Sequence, residues 1–310
     1  MKNFMKRKFI FVLLAGSFLF SSCIFSQEIN EIPLKLSAGK TLVTVKIGDL
    51  EIPDILLDTG LPFDGVIIYN PDYEDLLDMT GAVRVRIGGA GKDEDSYALM
   101  IDSSEFMLGN IKMKNQKILL LQGDVYKGFP TNGIIGNSIF GHYTTGLDYD
   151  RNIMTLYENR KFETDENWTV IPLYFKGNNI PWLDVSVVVD DESPVSLSVY
   201  IDYASRYAVE LLEKNEMKFS LPQETTQEYL GRGLSGDIYG KKGIISKLII
   251  GKHEFKNVTA VFPSAEVRSK QQNADAILGS NALRRFNLIF DYAGKKLFLK
   301  PNSFFNEPFE

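Results

Sequence analysis

Two aspartates in this chain each close a run of apolar residues, and carboxylates so placed, if brought together, can activate water. The first segment reads Ile55-Leu56-Leu57-Asp58-Thr59-Gly60, and the second reads Val199-Tyr200-Ile201-Asp202-Tyr203-Ala204-Ser205. Two carboxylates about 4 Å apart, at an effective dielectric of about 20, repel by about 4 kcal/mol when both are charged. Their ionisations then separate by about three pH units, so the pair holds one proton over a wide range. The charged member can take a proton from water while the protonated member donates to a carbonyl oxygen. The titration belongs to the pair, and the residue types assign the proton to neither aspartate. Taken singly, each aspartate also fits a turn or cap after a strand.

The two aspartates lie 144 residues apart, and other landmarks keep nearly the same offset. Gly136 in Gly133-Ile134-Ile135-Gly136-Asn137 and Gly279 in Ala276-Ile277-Leu278-Gly279-Ser280 are 143 apart. So are Asp148 and Asp291, each followed by tyrosine and read as hairpin residues. Gly89-Ala90-Gly91 matches Gly231-Arg232-Gly233, and Leu108-Gly109-Asn110 matches Ile250-Gly251-Lys252, both at 142. A period of about 140 is too long for a solenoid repeat and suits two whole lobes.

The elements that must position these residues are mostly strands. Thr41 to Ile47, Val83 to Ile87, Ile118 to Leu121, Leu183 to Val189, Ile244 to Ile250 and Leu288 to Phe290 are short β-branched and apolar runs. Gly, Asn and Asp separate them, as an all-β protein requires. Helical pattern is confined to Arg206 to Glu216, Asp72 to Met79 and the turn at Asn281 to Arg285. The polar stretch Glu158 to Asn167 marks the boundary between an N-terminal lobe over 23–160, carrying Asp58, and a C-terminal lobe over 161–310, carrying Asp202.

In this order of elements, residues 34 to 301 resemble the aspartic peptidases of the pepsin-like and retropepsin-like kind. Asp58-Thr59-Gly60 matches their catalytic triplet. Ile135-Gly136-Asn137 and Ile277-Leu278-Gly279-Ser280-Asn281-Ala282-Leu283 match the apolar-apolar-Gly segment that crosses behind the catalytic loop. The resemblance implies a bilobal fold of two duplicated β-barrel lobes with few short helices. It implies an endopeptidase in which Asp58 and Asp202 act on a shared water, with a peptide or protein substrate and neither cofactor nor metal. It places a substrate-binding flap at Gly89 and Gly91 and at Gly231 and Gly233, where plain turns are the alternative; Tyr97 and Tyr239 nearby either line a cleft or lie exposed. Thr59 should reach the opposite lobe's backbone, and Gly60 should let backbone approach the carboxylates. The second copy departs from this pattern. Tyr203 carries its hydroxyl at the far end of a ring, and Ala204 adds a Cβ that costs about 1 to 2 kcal/mol if the position needs positive φ. The supporting hydroxyl of the fourth position is absent at Leu61 and present at Ser205. Threonine at 203 with glycine at 204 is therefore expected to raise turnover. The alternative function is a non-catalytic peptide- or envelope-binding protein that keeps the cleft.

The remaining composition bounds the setting. The 310 residues are 44% apolar and 12% aromatic, enough for packed cores. Residues 1–22 read as an export signal, with Lys2, Lys6, Arg7 and Lys8 before the apolar run Phe9 to Phe20. Its removal takes away four cations and moves the net charge from −6 to −10, which excludes a general attraction to nucleic acid. Cys23, the only cysteine, follows Ser21-Ser22 as at a lipoprotein processing site; cleavage after Ser26 is the alternative. The expectation is an exported, monomeric envelope protein, attached to a membrane through a lipidated Cys23 on the periplasmic or outer-membrane face, or else soluble in the periplasm or medium. His142 and His253 are expected at the surface.

Overall fold

The computed structural model describes residues 30–91, 96–123, 126–157, 164–190, 192–214, 216–267 and 273–309. Residues 1–22 and Cys23, with the signal and lipidation readings they carry, lie outside the described residues. The first half of the chain forms β1 (Asn30–Pro33), β2 (Lys35–Ser37), β3 (Lys40–Ile47), β4 (Leu50–Leu57), β5 (Gly65–Ile68), β6 (Val83–Ile87), β7 (Ser96–Leu108), β8 (Ile111–Leu121), β9 (Gly133–Ile135), the one-turn helix α1 (Asn137–Phe140), β10 (Thr144–Asp148) and β11 (Ile153–Tyr157). The second half forms β12 (Thr169–Pro172), β13 (Trp182–Val188), β14 (Val195–Asp202), β15 (Val209–Leu211), β16 (Thr225–Gly233), β17 (Gly236–Ile250), β18 (His253–Pro263), β19 (Ala276–Gly279), α2 (Ser280–Leu283), β20 (Phe286–Asp291) and β21 (Lys296–Pro301).

These strands build an all-β molecule of two lobes. The N-terminal sheet runs β2-β3-β4-β9-β5-β8-β7-β6, and pairing of β3 with β7 closes its middle into a barrel. The C-terminal sheet runs β13-β14-β19-β15-β18-β17-β16 and is closed in the same way by β13 and β17. Sequence explains the central strands: β5, β9 and β19 are continuous apolar runs with every residue buried, as a strand covered on both faces must be.

A third sheet joins the lobes in the order β1-β11-β10-β20-β21-β12. At its centre Gly146 pairs with Ile289, flanked by Thr145 with Phe290 and Leu147 with Leu288. Ile289 is the residue 143 positions after Gly146, and the same offset exchanges the two flanking pairs. The sequence duplication is therefore a two-fold rotation whose axis passes through this pair. One apolar core, from Ile32 and Met154 to Phe290 and Leu299, runs from the shared sheet into both barrels.

Three local expectations are corrected. The stretch Arg206 to Glu216 contains the strand β15, with Val209, Glu210 and Leu211 all buried. β15 pairs in parallel with β18 and antiparallel with β19, so barrel closure overrides the helical propensity of its residues. Within Asp72 to Met79 only the 3-10 turn Pro71–Tyr73 forms, capped by the Asn70 side chain, and no α-helix follows. His253 is not at the surface: it is 9% exposed, bonded to Thr169 at 2.8 Å and packed on Phe286. Among the described residues no helix is long and apolar enough to cross a membrane.

Candidate active site

Each aspartate stands at the end of the second strand of its barrel. β4 lies parallel to β9 and β14 lies parallel to β19, so two apolar strands deliver each acid to the face between the lobes. The Asp58 amide donates to Ile135 O at 2.8 Å. Behind each acid loop the chain passes through Gly136 or Gly279. A Cβ on Gly136 would stand 2.2 Å from Asp58 O, and one on Gly279 would stand 2.2 Å from Tyr207 O. Only glycine permits that approach of backbone to backbone.

The two carboxyls converge over Gly60. A Cβ built there would lie 3.0 Å from Asp58 Oδ1, 3.5 Å from Asp202 Cγ and 3.6 Å from Asp202 Oδ1. The amide donors are placed alike in the two copies: Gly60 N–H donates to Asp58 Oδ1 at 2.7 Å, and Ala204 N–H donates to Asp202 Oδ1 at 3.0 Å. Burial first, and the neighbouring Asp202 charge second, hold the Asp58 carboxyl well above the usual carboxylate range; the Gly60 amide and the Lys40 ammonium oppose this.

The lobes clasp each other directly behind the acids. Thr59 Oγ1 donates to Ile201 O at 2.8 Å and accepts from the Tyr203 amide at 3.1 Å. The reciprocal contact from Tyr203 exists, but it runs elsewhere. Its buried hydroxyl meets Tyr149 OH at 2.6 Å, and Tyr149 OH meets Thr41 Oγ1 at 3.0 Å. Tyr203 thus returns the clasp to the N-terminal lobe through its full ring length.

Two further readings of the second copy are corrected. Ala204 is not among the positive-φ residues, so its Cβ carries no backbone strain, and it packs against the apolar cluster of the N-terminal lobe that includes Leu61. The Ser205 hydroxyl donates to the buried Glu210 at 2.6 Å, while the Ser205 amide lies 3.3 Å from Asp202 Oδ1. The fourth position therefore supports the acid with its backbone.

Gly89, Gly91 and Gly233 come together across the lobes although they lie far apart in sequence, whereas Gly231 pairs with Ile238 inside its own hairpin, and a Cβ there would meet nothing within 4 Å. Gly89 N–H donates to Ser235 Oγ at 3.0 Å, Ser235 N–H to Ala90 O at 2.9 Å, and Gly91 N–H to Val267 O at 3.2 Å. Tyr126 OH donates to Gly233 O at 2.6 Å. Leu234 packs on the N-terminal cluster of Tyr69, Tyr126 and Leu121, while Ala90 packs on the C-terminal cluster of Tyr207, Leu230 and Ile238. Each hairpin end is thus seated on the opposite lobe. Tyr97 and Tyr239 are 45% and 54% exposed and do not line an enclosed cleft.

Lys40 is the site residue that sequence reasoning missed. Burial lowers its ammonium pKa, and the charges acting on it are Asp202, Arg206 and Asp58. Asp148 and Asp291 accept turn amides from Arg151 and Gly294 and take no part in the site. Among the described residues no group of three or more His, Cys, Asp or Glu is placed to hold a metal ion. Compared with models of known families and with curated proteins, the chain matches none.

Proposed function

We propose that this protein is an aspartic-type endopeptidase. The observation that carries the reading is the convergence of the Asp58 and Asp202 carboxyls over Gly60, where one lobe meets the other. A water held between the acids loses a proton to the charged carboxylate as its oxygen attacks the scissile carbonyl carbon. The protonated carboxyl donates to the carbonyl oxygen, which gives a neutral tetrahedral diol. As the diol collapses and its C–N bond breaks, one diol hydroxyl gives its proton to the charged carboxylate and the leaving nitrogen takes a proton from the protonated carboxyl. An acid and an amine leave, and the pair returns with one proton. The extended peptide lies beneath the two hairpin ends, which part to admit it.

The second reading, a binding protein with the same cleft, drew on Tyr203 and Ala204. Both residues serve the site: Tyr203 makes a cross-lobe contact and Ala204 supplies an unstrained amide donor. A mixed peptide library incubated between pH 3 and 8 separates the two. The peptidase reading expects cleavage, blocked by a peptide bearing a tetrahedral hydroxyl in place of the scissile carbonyl. Binding of the library without any cleavage would establish the second reading.

We also propose export and attachment through Cys23, on the strength of the basic start, the apolar run and Ser21-Ser22-Cys23. Cys23→Ser should move the protein from the membrane to the soluble fraction. Identical fractionation of variant and parent, with no acyl mass on either, would exclude lipidation.

A further inference from the structure

The duplication is broken by one strand. β2 pairs with β3 through Lys35 with Leu42, Leu36 with Thr41 and Ser37 with Lys40, but among the described residues the C-terminal sheet has no strand in the corresponding place. That stretch is reduced to a single bridge between Tyr174 and Trp182. The lysine it carries, Lys176, sits 3.6 Å above the Trp182 ring, and the acids acting on it are Asp275 and Asp184. The extra hairpin of the N-terminal lobe behaves differently, because it is fastened across the lobes on both sides of Lys40.

On one side of Lys40, Gly39 O accepts from Ser280 Oγ at 3.2 Å, and the same hydroxyl lies 2.8 Å from Ser205 O in the loop that carries Asp202. On the other side, Thr41 is tied to Tyr203, the residue after Asp202, through Tyr149. Both anchors end on the Asp202 loop. Lys40 lies between them, half-buried, and Asp202 is the acid that acts on it most strongly, ahead of Asp58. Arg206 is the other cation facing it.

The asymmetry extends to the two tyrosines after β10 and β20. Tyr149 and Tyr292 correspond at an offset of 143, yet only Tyr149 finds a hydroxyl partner. The Tyr292 hydroxyl is buried and has no hydrogen-bond partner among the described residues, since Thr59 stands where its counterpart would have a tyrosine. The tyrosine clasp therefore exists on one side of the two-fold, the side that also holds the lysine.

We propose that Lys40 is a positioning residue of the acid pair: the β2–β3 hairpin, pinned by Gly39–Ser280 and by Thr41–Tyr149–Tyr203, holds its ammonium beside Asp202, so that Asp202 carries the pair's charge and Asp58 its proton. This rests on the peptidase reading of the two acids and adds to it a fixed assignment of the proton. Opposite charge nearby favours the ionised carboxyl, and Lys40 supplies it unequally. An enzyme so arranged would always direct the same carboxylate at the water and the same carboxyl at the carbonyl oxygen.

The test is a carboxyl carbon NMR titration of Asp58 and Asp202, which needs no turnover. The parent should show the first ionisation at Asp202 and the second at Asp58. Lys40→Met should raise the first by about one pH unit and spread it over both acids, whereas Lys40→Arg should keep the parent pattern. Tyr149→Phe, which loosens one anchor and keeps the charge, should give an intermediate shift. If the acids are coupled in the parent but Lys40→Met titrates as the parent does, the role of Lys40 is overturned and the acid pair stands. If the two acids of the parent titrate independently at ordinary values, the pair itself is overturned and the assignment with it.

Discussion

Asp58→Asn and Asp202→Asn should each lower kcat for peptide cleavage by about 10⁴-fold, and the double variant should lose little more. The asparagine side chain has the shape of the carboxyl, and its oxygen still accepts from the Gly60 or Ala204 amide that now holds each acid. Fold and cleft are therefore preserved, and KM should move little. What disappears is the pair's ability to hold one proton and one charge at once. With Asn at either position no combination of protonation states both takes a proton from water and gives one to the carbonyl oxygen, because the amide N–H donates a hydrogen bond but keeps its proton. Because the two groups act as one unit, removing the second after the first removes nothing further. A single variant retaining a tenth of parent kcat, or a double variant whose loss is the product of the two single losses, would mean that the acids act separately.

The acid pair was legible because duplication writes the same landmarks twice. Five pairs of landmarks at a nearly constant offset imply a two-fold relation, and the Gly146–Ile289 pairing is that relation in the shared sheet. Strands with continuous apolar runs or strong β-branched character were legible for the same physical reason that they are buried. The segment Arg206 to Glu216 was not, because its leucines and glutamates favour a helix locally while the barrel requires a strand between β18 and β19.

The site's departures were visible in the sequence, but their meaning was not. Tyr203 reads as a loss when compared with Thr59, and its hydroxyl partner Tyr149 lies 54 residues away with no local pattern to announce it. The expectation that threonine at 203 would raise turnover is accordingly reversed. Tyr203→Thr would empty the space of a fully buried ring and cut the return clasp. Nor does Ser205 reveal that Glu210 captures its hydroxyl, since Glu210 reaches the interior only once β15 is a strand. Lys40 was invisible for a related reason. A lysine in a hairpin reads as solvated surface until the opposite lobe is brought against it.

Asp58→Asn should also make the protein more stable than its parent at neutral pH, by an amount that vanishes in acid. The folded state holds the Asp58 proton far above the pH at which the unfolded chain releases it, because burial and the Asp202 charge both disfavour the second charge. Below the unfolded value both states carry the proton, and the site has no effect on the pH dependence. Between the unfolded and folded values the native state binds one proton more, so parent stability falls by up to about 1.4 kcal/mol per pH unit as pH rises. Asparagine cannot ionise and escapes that loss. Urea midpoints at pH 3.5 should thus coincide for variant and parent, and at pH 7 the variant midpoint should lie higher with an unchanged slope. Asp202→Asn should gain less, because it also removes the charge that faces the half-buried Lys40. A stability difference that stays flat from pH 3.5 to 7 would show that Asp58 releases its proton as an ordinary carboxyl does, and that the lobes impose no repulsion between the acids. The direction matters for the function proposed: a residue whose removal strengthens the fold while ending turnover is one retained for its chemistry, at a cost in stability that grows with pH.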